Sequence, residues 1–86
     1  MMDGLCIGSL VMIDECRIID ISDNVSIWNL RPEKFDYYSP SYTQVDCMTS
    51  GDVAVVIGIS YDDGTIQVLT CRGNVGFAWM EHLKIV

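Results

Sequence analysis

The side chains with chemical potential in this 86-residue chain are one histidine, four cysteines and a neighbouring pair of acids. His82 could act as a general base, but it would need a nucleophile and an orienting carboxylate within reach. Glu81 is its neighbour in sequence, and on a short turn that spacing does not aim the acid at the ring. His82 is therefore read as a surface or rim histidine. Cys6, Cys16, Cys47 and Cys71 contain no CxxC pair, so zinc-knuckle and thioredoxin-type chemistry have little support. Their even number would permit two disulfides. Without a secretory signal, reduced thiols that behave as small apolar side chains are expected instead. A Cys71 or other cysteine nucleophile paired with His82 is the sharpest enzymatic idea, and no catalytic signature surrounds any of the four. Asp62 and Asp63 precede Gly64, where backbone preference alone accounts for aspartate. The other acids are too dispersed for a calcium loop. No catalytic, cofactor or metal residue is expected, and the chain is read as a non-enzyme.

Charge narrows the partners. Residues 1–51 carry eight acids and three bases, net −5, and residues 52–86 carry four acids and two bases, net −2, which together give −7. Phosphate backbones are bound by clustered Lys and Arg, and five scattered bases form no cluster. Nucleic acid and anionic membrane surfaces are not expected partners, whereas a basic protein surface suits the charge. No apolar run approaches the ~20 residues that cross a bilayer. The opening MMDGLCIGSLVMIDE lacks a positive leader region and carries Asp3, so it reads as mature protein made in the cytoplasm.

The elements that must position these residues are strands. Eighty-six residues, half of them apolar, suit a single domain over 1–86 with one core. Gly8 to Ile21 is β-branched and apolar, and predicts two short strands with a turn or bulge near Asp14 and Glu15. Residues 22–51 hold both prolines, Pro32 and Pro40, and lack strong periodicity. A brief strand at Val25–Trp28 and a helical turn opened by Pro32 are expected within a long, aromatic-rich loop excursion. From Asp52 the pattern sharpens. Val53, Val55, Ile57 and Ile59 alternate with Ala54, Val56 and Gly58, and the small second face suits close packing. Tyr61-Asp62-Asp63-Gly64 and Arg72-Gly73-Asn74 read as hairpin turns. Thr65–Cys71 is the returning strand, with Ile66, Val68 and Thr70 on one side. Val75–Trp79 follows, Gly76 allowing a bulge or tight bend. Met80-Glu81-His82 fits one 3₁₀ turn before a closing strand at Leu83–Val86.

These residues resemble the bacterial SH3 domains. Thr49-Ser50-Gly51-Asp52-Val53-Ala54-Val55-Val56 is similar to their turn and second strand. Val68-Leu69-Thr70, a short turn and Val75-Gly76-Phe77-Ala78-Trp79 are similar to their strand, glycine turn and Gly-aromatic ending. Met80 to Val86 resembles their 3₁₀ turn and terminal strand. The resemblance covers residues 49–86, and the Asn-Val-Arg-type motif of those domains is missing between Ile21 and Gly51. It implies an all-β fold, a small SH3-like barrel of about five strands, with the excursion in the place of the long RT-type loop. Peptidoglycan or Pro-rich peptide binding does not carry over residue by residue.

Aromatics carry much of the energy at recognition surfaces. The candidate binding residues are therefore Tyr37, Tyr38 and Tyr42 of the excursion, with Trp28 and Asp62 beside them. Trp28 and Phe35 also suit sealing the open side of a barrel, and Trp79 suits a core or half-buried strand position. The expected function is a structural subunit that docks onto a larger protein assembly or its own copies. A phage accessory, capsid-decorating or tail-associated protein incorporated into a virion is one setting for such a module. The alternative is a ligand-binding module whose acidic, aromatic groove takes a basic peptide or cell-wall fragment.

Overall fold

A computed structural model describes residues 4–14, 24–31 and 43–86. The chain is all-β. Seven strands run β1 (Leu10–Ile13), β2 (Val25–Trp28), β3 (Gln44–Met48), β4 (Ala54–Ser60), β5 (Thr65–Leu69), β6 (Val75–Trp79) and β7 (Leu83–Ile85), and the 3₁₀ turn Met80–His82 links the last two. The strands form one sheet in the order β3-β2-β6-β5-β4-β1-β7. Every pairing is antiparallel, and the sheet curls into a half-barrel. Among the described residues no helix is long and apolar enough to cross a membrane.

Among the described residues the strand count is seven, against the expected five. The difference lies in the segment read as a loop excursion, which supplies both β2 and β3. β2 was legible as Val25–Trp28. β3, Gln44-Val45-Asp46-Cys47-Met48, does not alternate, because its register with β2 shifts between Ile27 and Trp28. The extra residue lets Val45 pack against the core three positions before buried Met48. The expected second strand of Gly8–Ile21 and the helical turn at Pro32 lie outside the described residues.

The core lies on the inner face. Val11 and Ile13 of β1, Val25 and Ile27 of β2, Val56 of β4, and Ile66 and Val68 of β5 are all buried there with Met48, Ala54, Ala78, Met80 and Leu83. Each fully buried Val, Ile or Leu contributes about 1.5–3 kcal/mol relative to an exposed one. Ala54 and Val56 are the close-packed small face of β4, as their size suggests. The expectation that Ile57 and Ile59 share the opposite face fails at a bulge. Val56 pairs with Val68 and Gly58 with Gln67, so Ile57 is the surplus residue. Beyond it Ile59 sits opposite Ile66 and packs on the core.

Gly76 introduces no bulge, since β5 and β6 pair in unbroken register around it. Its lack of a side chain serves a close approach. A Cβ there would lie 2.5 Å from Ile27 Cγ2, 2.7 Å from Trp28 O and 2.8 Å from Val45 Cγ2. β2 and β3 therefore fold down onto β6 at a point where only glycine fits. The Tyr61–Gly64 turn closes β4 onto β5, with Gly64 at φ 70°.

Candidate protein-contact surface

Three groups of side chains stand out on the sheet, and the first is a polar lock at one end of it. Asp46 on β3 has a side chain only 5% exposed. Its Oδ1 accepts from Arg72 Nε at 2.8 Å and from the Cys47 amide at 2.7 Å. Its Oδ2 accepts from Thr70 Oγ1 at 2.5 Å and from Asn74 Nδ2 at 3.1 Å. Arg72 also donates to the Cys47 carbonyl and, at 3.1 Å, to Asp52 Oδ2. Asp52 in turn accepts from the amide and hydroxyl of Thr49. The β5–β6 turn is thus bolted to β3 and to the turn before β4. Burial pushes the Asp46 carboxyl up, but hydrogen bonds from Thr70, Asn74, Arg72 and the Cys47 amide outweigh it and hold the group well below the usual carboxylate range. Asp52 is lowered by the Thr49 amide and then by Arg72, and Arg72 is raised by its bonds to Asp46 and Asp52. Both Asp46 oxygens are saturated by protein donors, which suits a structural clamp rather than a reactive acid.

The second group is aromatic and lies on the outer face. Trp28 of β2 is the register partner of Phe77 of β6, and both are half-buried. Trp79 follows on the same face of β6, opposite Thr65. Arg31 stacks 5.5 Å from the Phe77 ring centre and approaches Asp63 Oδ2 at 3.5 Å. Asp63 also accepts from Ser60 Oγ at 2.9 Å. Trp28 therefore takes part in a surface group beside the β4–β5 turn, which carries exposed Asp62. Tyr37, Tyr38 and Tyr42 lie outside the described residues.

The third group was not anticipated as a site. Register places Leu10 opposite Val55, Val55 opposite Leu69, and Leu69 opposite Val75. The Val86 amide donates to the Leu10 carbonyl at 2.9 Å, which continues the row past the end of β7. Val86, Leu10, Val55, Leu69 and Val75 thus form one lateral row across the outer face. Leu10 is 46% exposed, Leu69 38%, Val75 47% and Val86 65%. Strand spacing of about 4.8 Å makes the row roughly 19 Å long between its outermost backbones. Scattered exposed aliphatics are ordinary, but a contiguous line of them marks a contact surface. The Arg72-Gly73-Asn74 turn aligns Leu69 with Val75, and the bulge at Ile57 brings Val55 opposite Leu69. Leu10 and Val86 required the non-local pairings β1–β4 and β1–β7.

Among the described residues the catalytic candidates do not assemble. Glu81 Oε1 comes within 3.7 Å of His82 Nε2, closer than the sequence spacing suggested. Both are solvent-accessible, and among the described residues no cysteine or hydroxyl is hydrogen-bonded to the imidazole. Cys6, Cys47 and Cys71 are unbridged, and Cys16 lies outside the described residues. Among the described residues no three His, Cys, Asp or Glu gather into a metal-binding group. Comparison of the chain with protein-family models, curated proteins and solved structures finds no match.

Proposed function

We propose that this chain is a non-enzymatic docking subunit with an SH3-like barrel fold, working as a small part of a larger protein assembly. The observation that carries the reading is the outer aliphatic row in which exposed Leu10, Leu69 and Val75 flank half-buried Val55, leaving contiguous apolar surface to solvent. The SH3-like reading is supported by the two tight hairpins β4–β5 and β5–β6, by the 3₁₀ turn after β6, and by the return of β7 to β1. A phage accessory, capsid-decorating or tail-associated protein is the setting proposed for such a module. The test is quantitative mass spectrometry of the intact assembly from the native source. A fixed copy number per particle is expected, and Leu69→Glu is expected to lower it. A chain that is absent from every large assembly overturns the reading.

A ligand-binding module is the second reading, favoured by Trp28 and Phe77 lying together beside the Asp62–Asp63 turn. Tryptophan fluorescence during titration with a Lys/Arg-rich peptide tests it. A saturable change removed by Trp28→Ala supports this reading, and a flat titration ends it.

A further inference from the structure

The outer row has a property beyond exposure. Read across the sheet, its residues are Val86, Leu10, Val55, Leu69 and Val75, a sequence of sizes that is the same in both directions. A two-fold axis lying in the interface above Val55, parallel to the strands, would bring Leu10 of one copy over Leu69 of another and Val86 over Val75. An isologous dimer requires such a self-complementary patch. We propose that the outer face pairs with the same face of a second copy, the two rows antiparallel and centred on Val55. This rests on the reading of the face as a protein-contact surface and names its occupant.

Charge and area agree with a second copy. The row contains no ionisable side chain, although the chain carries −7. The outward positions beside it are Lys84, Met12 and Val53 on one flank and Ile57, Gln67 and Phe77 on the other, so Lys84 is the charged side chain that borders the row. Asp52, Asp62, Asp63 and Glu81 lie in turns at the ends of strands. Apposed faces would therefore bury apolar surface while keeping most like charges at the rim. Five strands at about 4.8 Å, three residue rows deep, offer on the order of 500 Å² per copy. That is the low end for a specific interface, and it implies a concentration-dependent dimer rather than an obligate one. Because two copies of charge −7 repel, added salt should strengthen the dimer.

Sedimentation equilibrium of the full chain tests the proposal. The mass is expected to rise from 9.6 kDa toward twice that value with concentration, and to rise further with salt. Leu69→Lys and Leu10→Glu should each weaken self-association roughly tenfold or more, since a charge then faces an aliphatic side chain. Mixed together, the two variants should pair, because in the mixed dimer one contact becomes Lys against Glu and the other stays Leu against Leu. Circular dichroism of each variant checks that the fold is retained, and the mixture supplies the readout if one alone is weakened. A wild-type chain that stays at 9.6 kDa up to about 1 mM overturns the dimer. So does a mixture no tighter than either variant. An apolar dye separates that failure from failure of the contact-surface reading. If a monomeric wild type binds the dye and Leu69→Lys does not, the face is a contact surface without a second copy. Equal dye binding by both removes the surface as well.

Discussion

Thr70 Oγ1 donates to Asp46 Oδ2 across 2.5 Å, joining the end of β5 to an edge strand 24 residues earlier in the chain. Through this bond a buried threonine and a carboxylate 5% exposed satisfy one another at the rim of the core. The same threonine also closes its own turn, since its amide donates to Asn74 O at 2.8 Å and its hydroxyl accepts from the Asn74 amide at 3.2 Å.

Asp46→Asn should therefore destabilise the fold by on the order of 2 kcal/mol, because an amide nitrogen replaces one of two oxygens, each addressed by two donors. Urea unfolding followed by circular dichroism measures it. An unchanged midpoint would mean that the clamp adds nothing to stability.

Stability should also fall in acid. Asp46 and Asp52 both have folded-state values held below the ordinary carboxylate range, so the folded state favours their charged forms. Their contribution is fully present above the unfolded value of about 4 and is lost as pH falls through it toward the depressed folded values. Urea midpoints between pH 7 and pH 2 should decline at the acid end, and Asp46→Asn should flatten that decline. A wild-type and variant pair with parallel profiles would remove Asp46 as a source.

Gly76→Ala should cost about 1–3 kcal/mol, since the added methyl meets Ile27, Val45 and the Trp28 carbonyl at once. Thermal denaturation gives the readout. A neutral substitution would show that β2 and β3 can lift from β6 without loss.

Thr65→Val should stabilise by about 1 kcal/mol. Thr65 is fully buried and its hydroxyl has no hydrogen-bond partner among the described residues, so valine keeps the shape and removes an unmet polar atom. A lower melting temperature would instead reveal that the hydroxyl is used.

The strands after Asp52 were legible because local rules governed them. Gly64 and Gly73 marked the hairpin turns, and Ile66, Val68 and Thr70 kept strict alternation onto the core. β3 was not legible, since its register shift puts Val45 and Met48 on the core with an odd spacing and gives Asp46 to the clamp. The clamp itself joins residues 24 to 28 apart in sequence, a separation at which residue types alone carry no signal. Of the five candidate binding residues, Trp28 lies on the outer face opposite Phe77, Asp62 is exposed in the β4–β5 turn, and the three tyrosines lie outside the described residues. The aliphatic row was half legible. Leu69 and Val75 follow from one turn, but the bulge at Ile57 was needed to set Val55 opposite Leu69, and strand pairing across the whole length of the chain to bring Leu10 and Val86 alongside.

The surplus residue in β4 has a geometric effect of its own. From Val55 to Ser60 that strand spends six residues where β5 spends five from Leu69 to Thr65. Two bonded ribbons of unequal length can lie together only by arching, as a bimetallic strip does when warmed. Trimming Ile57 would even the two lengths without moving Val56 or Ile59 off the interior. What would be lost is the arch, and with it the hollow that the interior side chains fill.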